Sequence, residues 1–147
     1  MLLLLFNVDD QRYALHLDVI ERIVRAVEIT PVPDAPAGIL GVINVYGRIV
    51  PVLDFRRRLG LPGKEIELTD QLIIAQASGR PQALLADGVI GVVDYPEEQA
   101  AKMHEIVPGM EENEAVVTLA DGIVFVENLD ALCSADGWRM PAMATGG

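Results

Sequence analysis

The sequence predicts a mostly β fold, built as two small barrels packed side by side. Short apolar runs recur at eight to twelve residue spacing and are punctuated by Asp-Gly, Tyr-Gly and Ser-Gly pairs, which is the pattern of strands and hairpins. The chain has 147 residues, 51% apolar and 22% charged, so one domain can bury a core without staples. The two halves are also weakly self-similar. Ala14-Leu15, Asp18, Ile20 and Ile23-Val24 recur at an offset of 69 as Ala83-Leu84, Asp87, Val89 and Val92-Val93. Ile49-Val50-x-Val52-x-Asp54-Phe55 recurs at an offset of 74 as Ile123-Val124-x-Val126-x-Asn128-Leu129. Two copies are too few for a solenoid, and closing each sheet into a barrel removes its exposed edges.

The elements follow in order. Residues 2–8 are an apolar run that stops at Asp9-Asp10, and 13–17 resume it as the second strand of a hairpin. Asp18 is placed to cap a helical turn through Arg22. Residues 40–45 and 49–53 flank Tyr46-Gly47 as a second hairpin, and Pro51, which has no N–H to donate, predicts an edge or a bulge there. Asp54 caps a short helix over 55–59 that Gly60 ends. Residues 71–77 and 82–86 make a third hairpin around Ser78-Gly79, and 97–107 read as a short helix or an irregular loop. Residues 116–120 and 123–127 make a fourth hairpin around Asp121-Gly122, followed by a helix over 128–132. This is a single domain over 1–147 with approximate lobes 1–68 and 69–133, strand exchange between them being open. The stretch 134–147 lacks periodicity and is expected to be a mobile tail.

Composition removes several function classes. The net charge of −11 arises wholly after residue 60: residues 1–60 hold seven basic and seven acidic side chains, 61–147 hold four and fifteen. An acidic surface repels phosphates, so no nucleic-acid partner is expected. No apolar run reaches the length that spans a bilayer, and 1–6 lack a basic leader or cleavage site, so neither a membrane anchor nor a signal peptide is expected. The single cysteine, Cys133, excludes a disulfide framework and suits a reducing compartment.

Enzymatic signatures are equally sparse. His16 and His104 have no paired ligand spacing, and neither a metal nor a cofactor is expected. Gly60-Leu61-Pro62-Gly63-Lys64 lacks the spacer and the following Ser or Thr of a phosphate loop, and Ser78 lacks the preceding glycine of a nucleophile elbow. Glu111, Glu112 and Glu114 lack the spacing of a calcium loop. Arg56-Arg57-Arg58 closes a short helix where positive charge suits the dipole. Glu21 interrupts an apolar alternation beside Arg22 and Arg25, which fits either a surface ion pair or a binding groove.

These residues together resemble the CheW-like chemotaxis coupling proteins. The resemblance is carried by Tyr13-Ala14-Leu15, by Asp18-Val19-Ile20-Glu21-Arg22-Ile23-Val24 and by Pro31-Val32-Pro33-x-Ala35-Pro36. Its longest stretch is Ile39-Leu40-Gly41-Val42-Ile43-Asn44-Val45-Tyr46-Gly47-Arg48-Ile49-Val50-Pro51-Val52-Leu53-Asp54-Phe55. It continues through Leu84-Leu85-Ala86-Asp87-Gly88-Val89 and Ile123-Val124-Phe125-Val126-Glu127-Asn128-Leu129, covering roughly 3–133.

The resemblance implies two SH3-like five-stranded barrels and a non-enzymatic scaffold, which joins a chemoreceptor's cytoplasmic tip to the regulatory domain of a CheA-type histidine kinase. It implies cytoplasmic placement with recruitment to membrane receptor arrays through those partners, without direct membrane insertion. Carried over by position, the receptor groove comprises Val19, Glu21, Gly41, Val42, Asn44, Tyr46, Leu84 and Ala86, and the kinase contact Ile49, Pro51 and Leu53. The family commonly has arginine immediately before the glycine of its Asn-x-x-Gly turn, where it can pair with the glutamate matching Glu21. Tyr46 stands there in this chain, so Glu21 must turn to Arg22, Arg48 or water. Two alternatives stay open: an adaptor of another kinase pathway with altered partner choice, and, remotely, a small hydrolase or metal-dependent enzyme using Glu21, Asp54 or His16.

Overall fold

The computed structural model describes residues 1–25, 28–110 and 115–134. The expected tail thus lies, beyond Ser134, outside the described residues. Strands β1 (Leu2–Val8) and β2 (Gln11–His16) pair as the first hairpin. A 3-10 turn over Leu17–Val19 leads into β3 (Ile20–Arg25). The helical turn expected through Arg22 therefore stops at Val19. Asp18 makes no capping bond there, and the β-branched residues Ile20, Ile23 and Val24 pair as a strand instead. The second hairpin is β4 (Ile39–Val45) and β5 (Arg48–Leu53), followed by α1 (Phe55–Arg58), where Arg57 N donates to Asp54 Oδ1 at 3.1 Å. The third is β6 (Gln71–Ala77) and β7 (Arg80–Ala86), continued by β8 (Gly88–Asp94). Residues 97–107 resolve into a 3-10 turn, the two-residue strand β9 (Ala101–Lys102) and α2 (Met103–Ile106). Last come β10 (Ala115–Leu119), β11 (Gly122–Val126) and α3 (Leu129–Ser134).

Two sheets result, in the orders β3-β6-β7-β5-β4 and β8-β1-β2-β11-β10-β9. The first closes on itself because Thr30, downstream of β3, exchanges both backbone bonds with Val42 of β4 at 2.9 Å. Gly41 is the residue this closure needs. A Cβ on Gly41 would run into the Thr30 carbonyl, and its φ of +157° disfavours any other residue. In the second sheet the chain leaving β8 returns as β9 on the far edge. Pro51 is tolerated in an interior strand, neither the expected edge nor itself bulged, because the parallel ladder between β5 and β7 begins only at Val52 opposite Ala83; the irregularity of this hairpin lies in β4, between Ile39 and Gly41.

The sheets do not follow the two halves of the chain. Each takes its first hairpin from one sequence repeat and its remaining strands from the other. The equivalence reaches the register: Val52 lies opposite Ala83 in one sheet, and Val126 opposite Ala14 in the other. It reaches the irregularities as well, since the extra residue that bulges β3 is Glu21 and the one that bulges β8 is Ile90, 69 positions on. Asn128 repeats the cap of Asp54, its Oδ1 accepting from Ala131 N at 3.0 Å.

This exchange explains why 2–6 are apolar without alternation. Leu3 and Leu5 face the interior of one barrel with Ala14, Val117, Val124 and Val126. Leu4, Phe6 and Val8 face the opposite way into a core shared by both lobes, with Tyr13, Leu15, Phe55, Ile73, Leu84 and Ala86. In β6, Leu72 and Ile74 fill the other barrel while Ile73, Ala75 and Ala77 face the shared core. A strand buried on both faces must be apolar throughout. At the centre Phe6, Tyr13 and Phe55 meet with ring centroids 5.1–5.9 Å apart.

Polar contacts lock the same seam. Arg56 of α1 donates to both carboxylate oxygens of Asp9, at 2.8 and 3.2 Å, and to the Pro62 carbonyl at 2.8 Å. The arginine run that closes α1 therefore spends its first member on the neighbouring lobe. At the pseudo-equivalent place Ser78 N donates to Asp130 Oδ1 at 2.6 Å.

Candidate functional site

The shared core does not seal completely at its margins. In β3, Ile23 stands opposite Ile73, and in β8, Val92 stands opposite Leu4. Both partners are fully enclosed members of the shared core, so Ile23 and Val92 extend its face outward, at 36% and 50% exposure. Their chain neighbours Val24 and Val93 point the other way, into the barrel interiors. Val19, Ile20 and Val89 pack partly buried on the same core, and Leu2 adds a half-exposed side chain. Where β8 begins, Val89 N donates to Gln71 Oε1 at 2.8 Å, tying it to the strand that pairs with β3. At the other end a cleft of about 540 Å³ opens between Leu2, His16–Asp18 and Glu97. The result is an apolar inter-lobe groove walled by β3 and β8.

A polar cluster sits beside it, at the end of the five-stranded barrel. Because β5 and β7 are parallel, the β4–β5 and β6–β7 turns lie at this same end. The bulge at Glu21 directs its carboxylate across the opening, where Arg48 Nη2 and Nη1 donate at 2.6 and 3.5 Å and Gln76 Nε2 donates as well. The Arg48 hydrogen bond holds the Glu21 carboxyl below its ordinary range. Arg22 places its guanidinium over the Tyr46 ring, 4.7 Å from the centroid. Asn44 Oδ1 accepts from Gly47 N at 2.7 Å and shapes the turn. Of the partners expected for Glu21, the structure selects Arg48, not Arg22.

The residues expected at the receptor groove divide sharply. Val19 borders the groove, and Glu21, Asn44 and Tyr46 belong to the barrel-end cluster. Leu84 and Ala86 are 1% and 0% exposed, so they lie in the shared core and offer a partner no surface. Gly41 is buried beneath Thr30. Among the residues expected at the kinase contact, Leu53 is 0% exposed and is a core residue too, whereas Ile49 is 61% exposed. The register sets Asn44 opposite Ile49 and Val42 opposite Pro51, so these four share the outer face of one hairpin. Sequence position alone distributed that single face between two partners. It also left out Ile23 and Val92, although the offset of 69 that links them was already visible.

Among the described residues, no catalytic arrangement forms. Asp54 is a helix cap, Glu21 is held by Arg48 and Gln76, and His16 is exposed at the end of β2. Among the described residues, no group of three or more His, Cys, Asp or Glu could hold a metal, and no helix is long and apolar enough to cross a membrane. Burial raises the Cys133 thiol to about 11, which makes it a poor nucleophile.

The family model of the CheW-like domain matches residues 2–136. This chain belongs to the CheW-like family. It is 30% identical over 132 residues to the chemotaxis protein CheW of Rhizobium meliloti, covering 88% of this chain and 85% of that one. It is 35% identical over 94 residues to CheW of Thermotoga maritima, covering 64% and 62%. The crystal structure of the scaffolding protein TtCheW from Thermoanaerobacter tengcongensis superposes with a TM-score of 0.81 at 24% identity, over 95% of this chain and 96% of that one. The protein is accordingly a non-enzymatic coupling adaptor of chemotaxis signalling, and the hydrolase reading is set aside. CheW proteins couple chemoreceptors and CheA in chemosensory complexes.

Proposed function

We propose that this CheW-like protein receives the cytoplasmic tip of a chemoreceptor in the inter-lobe groove and the regulatory domain of a CheA-type kinase on the outer face of the β4–β5 hairpin. The observation that carries the reading is the pair Ile23 and Val92, two apolar side chains left open to solvent at the margin of an otherwise enclosed core. An amphipathic helix laid between β3 and β8 would complete that core with its own apolar side chains. The hairpin offers a second, separate patch in Ile49, Pro51, Val42 and Asn44. Two non-overlapping surfaces on one rigid body are what coupling requires, since both partners must be held at once. The adaptor thereby resides in the cytoplasm and reaches membrane receptor arrays only through its partners.

Calorimetric titration with a receptor-tip fragment and, separately, with the kinase regulatory domain tests this. Saturable binding to each, and binding of the second partner unimpaired by the first, is the expected result. Mutual exclusion would show that both use one surface, and the assignment would fall.

A further inference from the structure

Core packing fixes β6 and β1, but the groove walls lie one strand further out. Of the two walls β8 is the more deformable. It stands at the end of its sheet beside β1, carries the bulge at Ile90 and has two glycines in seven residues. What locates its first residues is a set of polar contacts outside the ladder.

Asp70 immediately precedes β6, the strand that carries β3, and Asp87 immediately precedes β8. Lys64, from the loop between α1 and β6, reaches both. Its Nζ donates to the two Asp70 carboxylate oxygens at 3.3 Å and lies 3.8 Å from Asp87 Oδ1. Asp70 is buried, and a buried carboxylate requires such a partner. Asp87 Oδ2 accepts from Asp9 N at 2.6 Å, and Asp87 N donates to the Asn7 carbonyl at 3.0 Å, which keys the start of β8 onto the β1–β2 turn. Two residues on, Val89 N donates at 2.8 Å to Oε1 of Gln71, the residue directly after Asp70. The lysine is itself located, because Arg56 Nε donates at 2.8 Å to the Pro62 carbonyl two residues before it. Burial disfavours the Lys64 ammonium, but the hydrogen bond to Asp70 and the charges of Asp70, Asp87 and Glu67 outweigh burial and raise its pKa, so it stays charged.

We propose that Lys64, bridging Asp70 to Asp87, is a positioning residue for receptor binding, which together with Gln71 sets the distance between β3 and β8 at one end of the groove. The inference rests on the groove reading above and deepens it: the end at Asp87 is pinned, while the end at Leu2 and Glu97 opens into the cleft. A helix seated on Ile23 and Val92 then meets walls already spaced for it and need not order β8 as it binds.

Asp87→Asn tests the bridge. The asparagine can still accept from Asp9 N but offers Lys64 no charge, and Lys64 keeps Asp70. In the full-length protein D87N and Gln71→Met should each lower affinity for a receptor-tip fragment from the same genome about 3- to 30-fold by calorimetry, the range for residues that act on a site without touching its ligand. Lys64→Met combined with Asp70→Asn, which strands no buried charge, should behave as D87N does. Affinity for the kinase regulatory domain should not move. Hydrogen exchange by NMR gives a readout that a general loss of stability would not: the Val89 amide should exchange faster in D87N while the β10–β11 amides keep the parent's rates. If D87N and Q71M bind the receptor tip as the parent does while Ile23→Asp abolishes binding, the positioning role is overturned and the groove stands. Equal losses for receptor tip and kinase domain would overturn it too, marking the cluster as structural. Should Ile23→Asp leave binding intact, the groove reading fails and this inference with it.

Discussion

Val92→Asp separates a groove residue from a core residue more sharply than any other single change. Val92 is 50% exposed, so the free protein forfeits only about half of a valine's burial. Full burial of such a side chain is worth roughly 1.5–3 kcal/mol, which puts the stability loss near 1 kcal/mol. For a chain of this size that is a fall in melting temperature of about 3–5 °C, leaving the protein folded at room temperature. Binding should respond much more strongly. A helix that closes over Val92 would have to strip water from the new carboxylate, and it would also lose the apolar contact. Loss of a central contact alone costs about 2 kcal/mol or more, and desolvating an unpaired charge adds to it, so affinity for the receptor tip should fall at least 30-fold. Calorimetry on the folded variant, with circular dichroism to establish folding, measures both quantities. Val92→Asp that melts within a few degrees of the parent and binds the receptor tip within threefold of it would refute the argument that β8 walls the groove.

Other predictions concern the parts the groove rests on. Leu84→Ala, at a position 1% exposed, should destabilise by about 2–5 kcal/mol, so any binding defect should track the unfolded fraction in a denaturant titration. Glu21 has its carboxyl lowered by Arg48, so the stability it contributes is present above the unfolded glutamate range and is lost as pH falls through the depressed folded value. NMR titration should place the Glu21 midpoint below that of the exposed glutamates, and Arg48→Ala should return it upward; a midpoint unchanged by Arg48→Ala would show that the ion pair is not formed in solution. Cys133, buried and with its thiol raised to about 11, should react with a disulfide reagent at pH 8 only on the timescale of unfolding. Rapid labelling of the native protein would show that α3 opens locally.

The four hairpins were legible because each pairs two apolar runs across a turn with a recognisable pair of residues. The walls of the groove were not. Strand β3 reads Ile-Glu-Arg-Ile-Val-Arg, three charges in six residues, and β8 reads Gly-Val-Ile-Gly-Val-Val-Asp, with two glycines. Both are bulged, and a bulge shifts the alternation by one residue so that neither period fits the whole segment. Leu84, Ala86 and Leu53 were assigned to partners by position, yet they face a core that exists only because the lobes exchange hairpins. A strand apolar on both sides carries no mark of which side meets solvent. Glu21 was legible as an anomaly, and the structure supplies its reason: it is the bulged residue whose carboxylate closes the barrel end with Arg48.

The exchange of hairpins also gives the groove the rigidity that the proposed coupling role requires. Two independent barrels joined by a linker would present a groove whose width changed with every relative movement, because interfaces between separate domains permit such motion by default. Here each barrel contains strands from both repeats, so separating the lobes requires pulling β1 and β2 out of one sheet or β6 and β7 out of the other. The Phe6, Tyr13 and Phe55 cluster and the Arg56–Asp9 pair lie on that same seam. The groove walls β3 and β8 are each hydrogen-bonded to the strand, β6 or β1, whose other face forms the shared core. Their spacing is therefore set by core packing, which resists deformation. A receptor helix seated between them would be held in fixed orientation relative to the β4–β5 hairpin, and an adaptor without chemistry of its own can transmit a signal only by fixing that orientation.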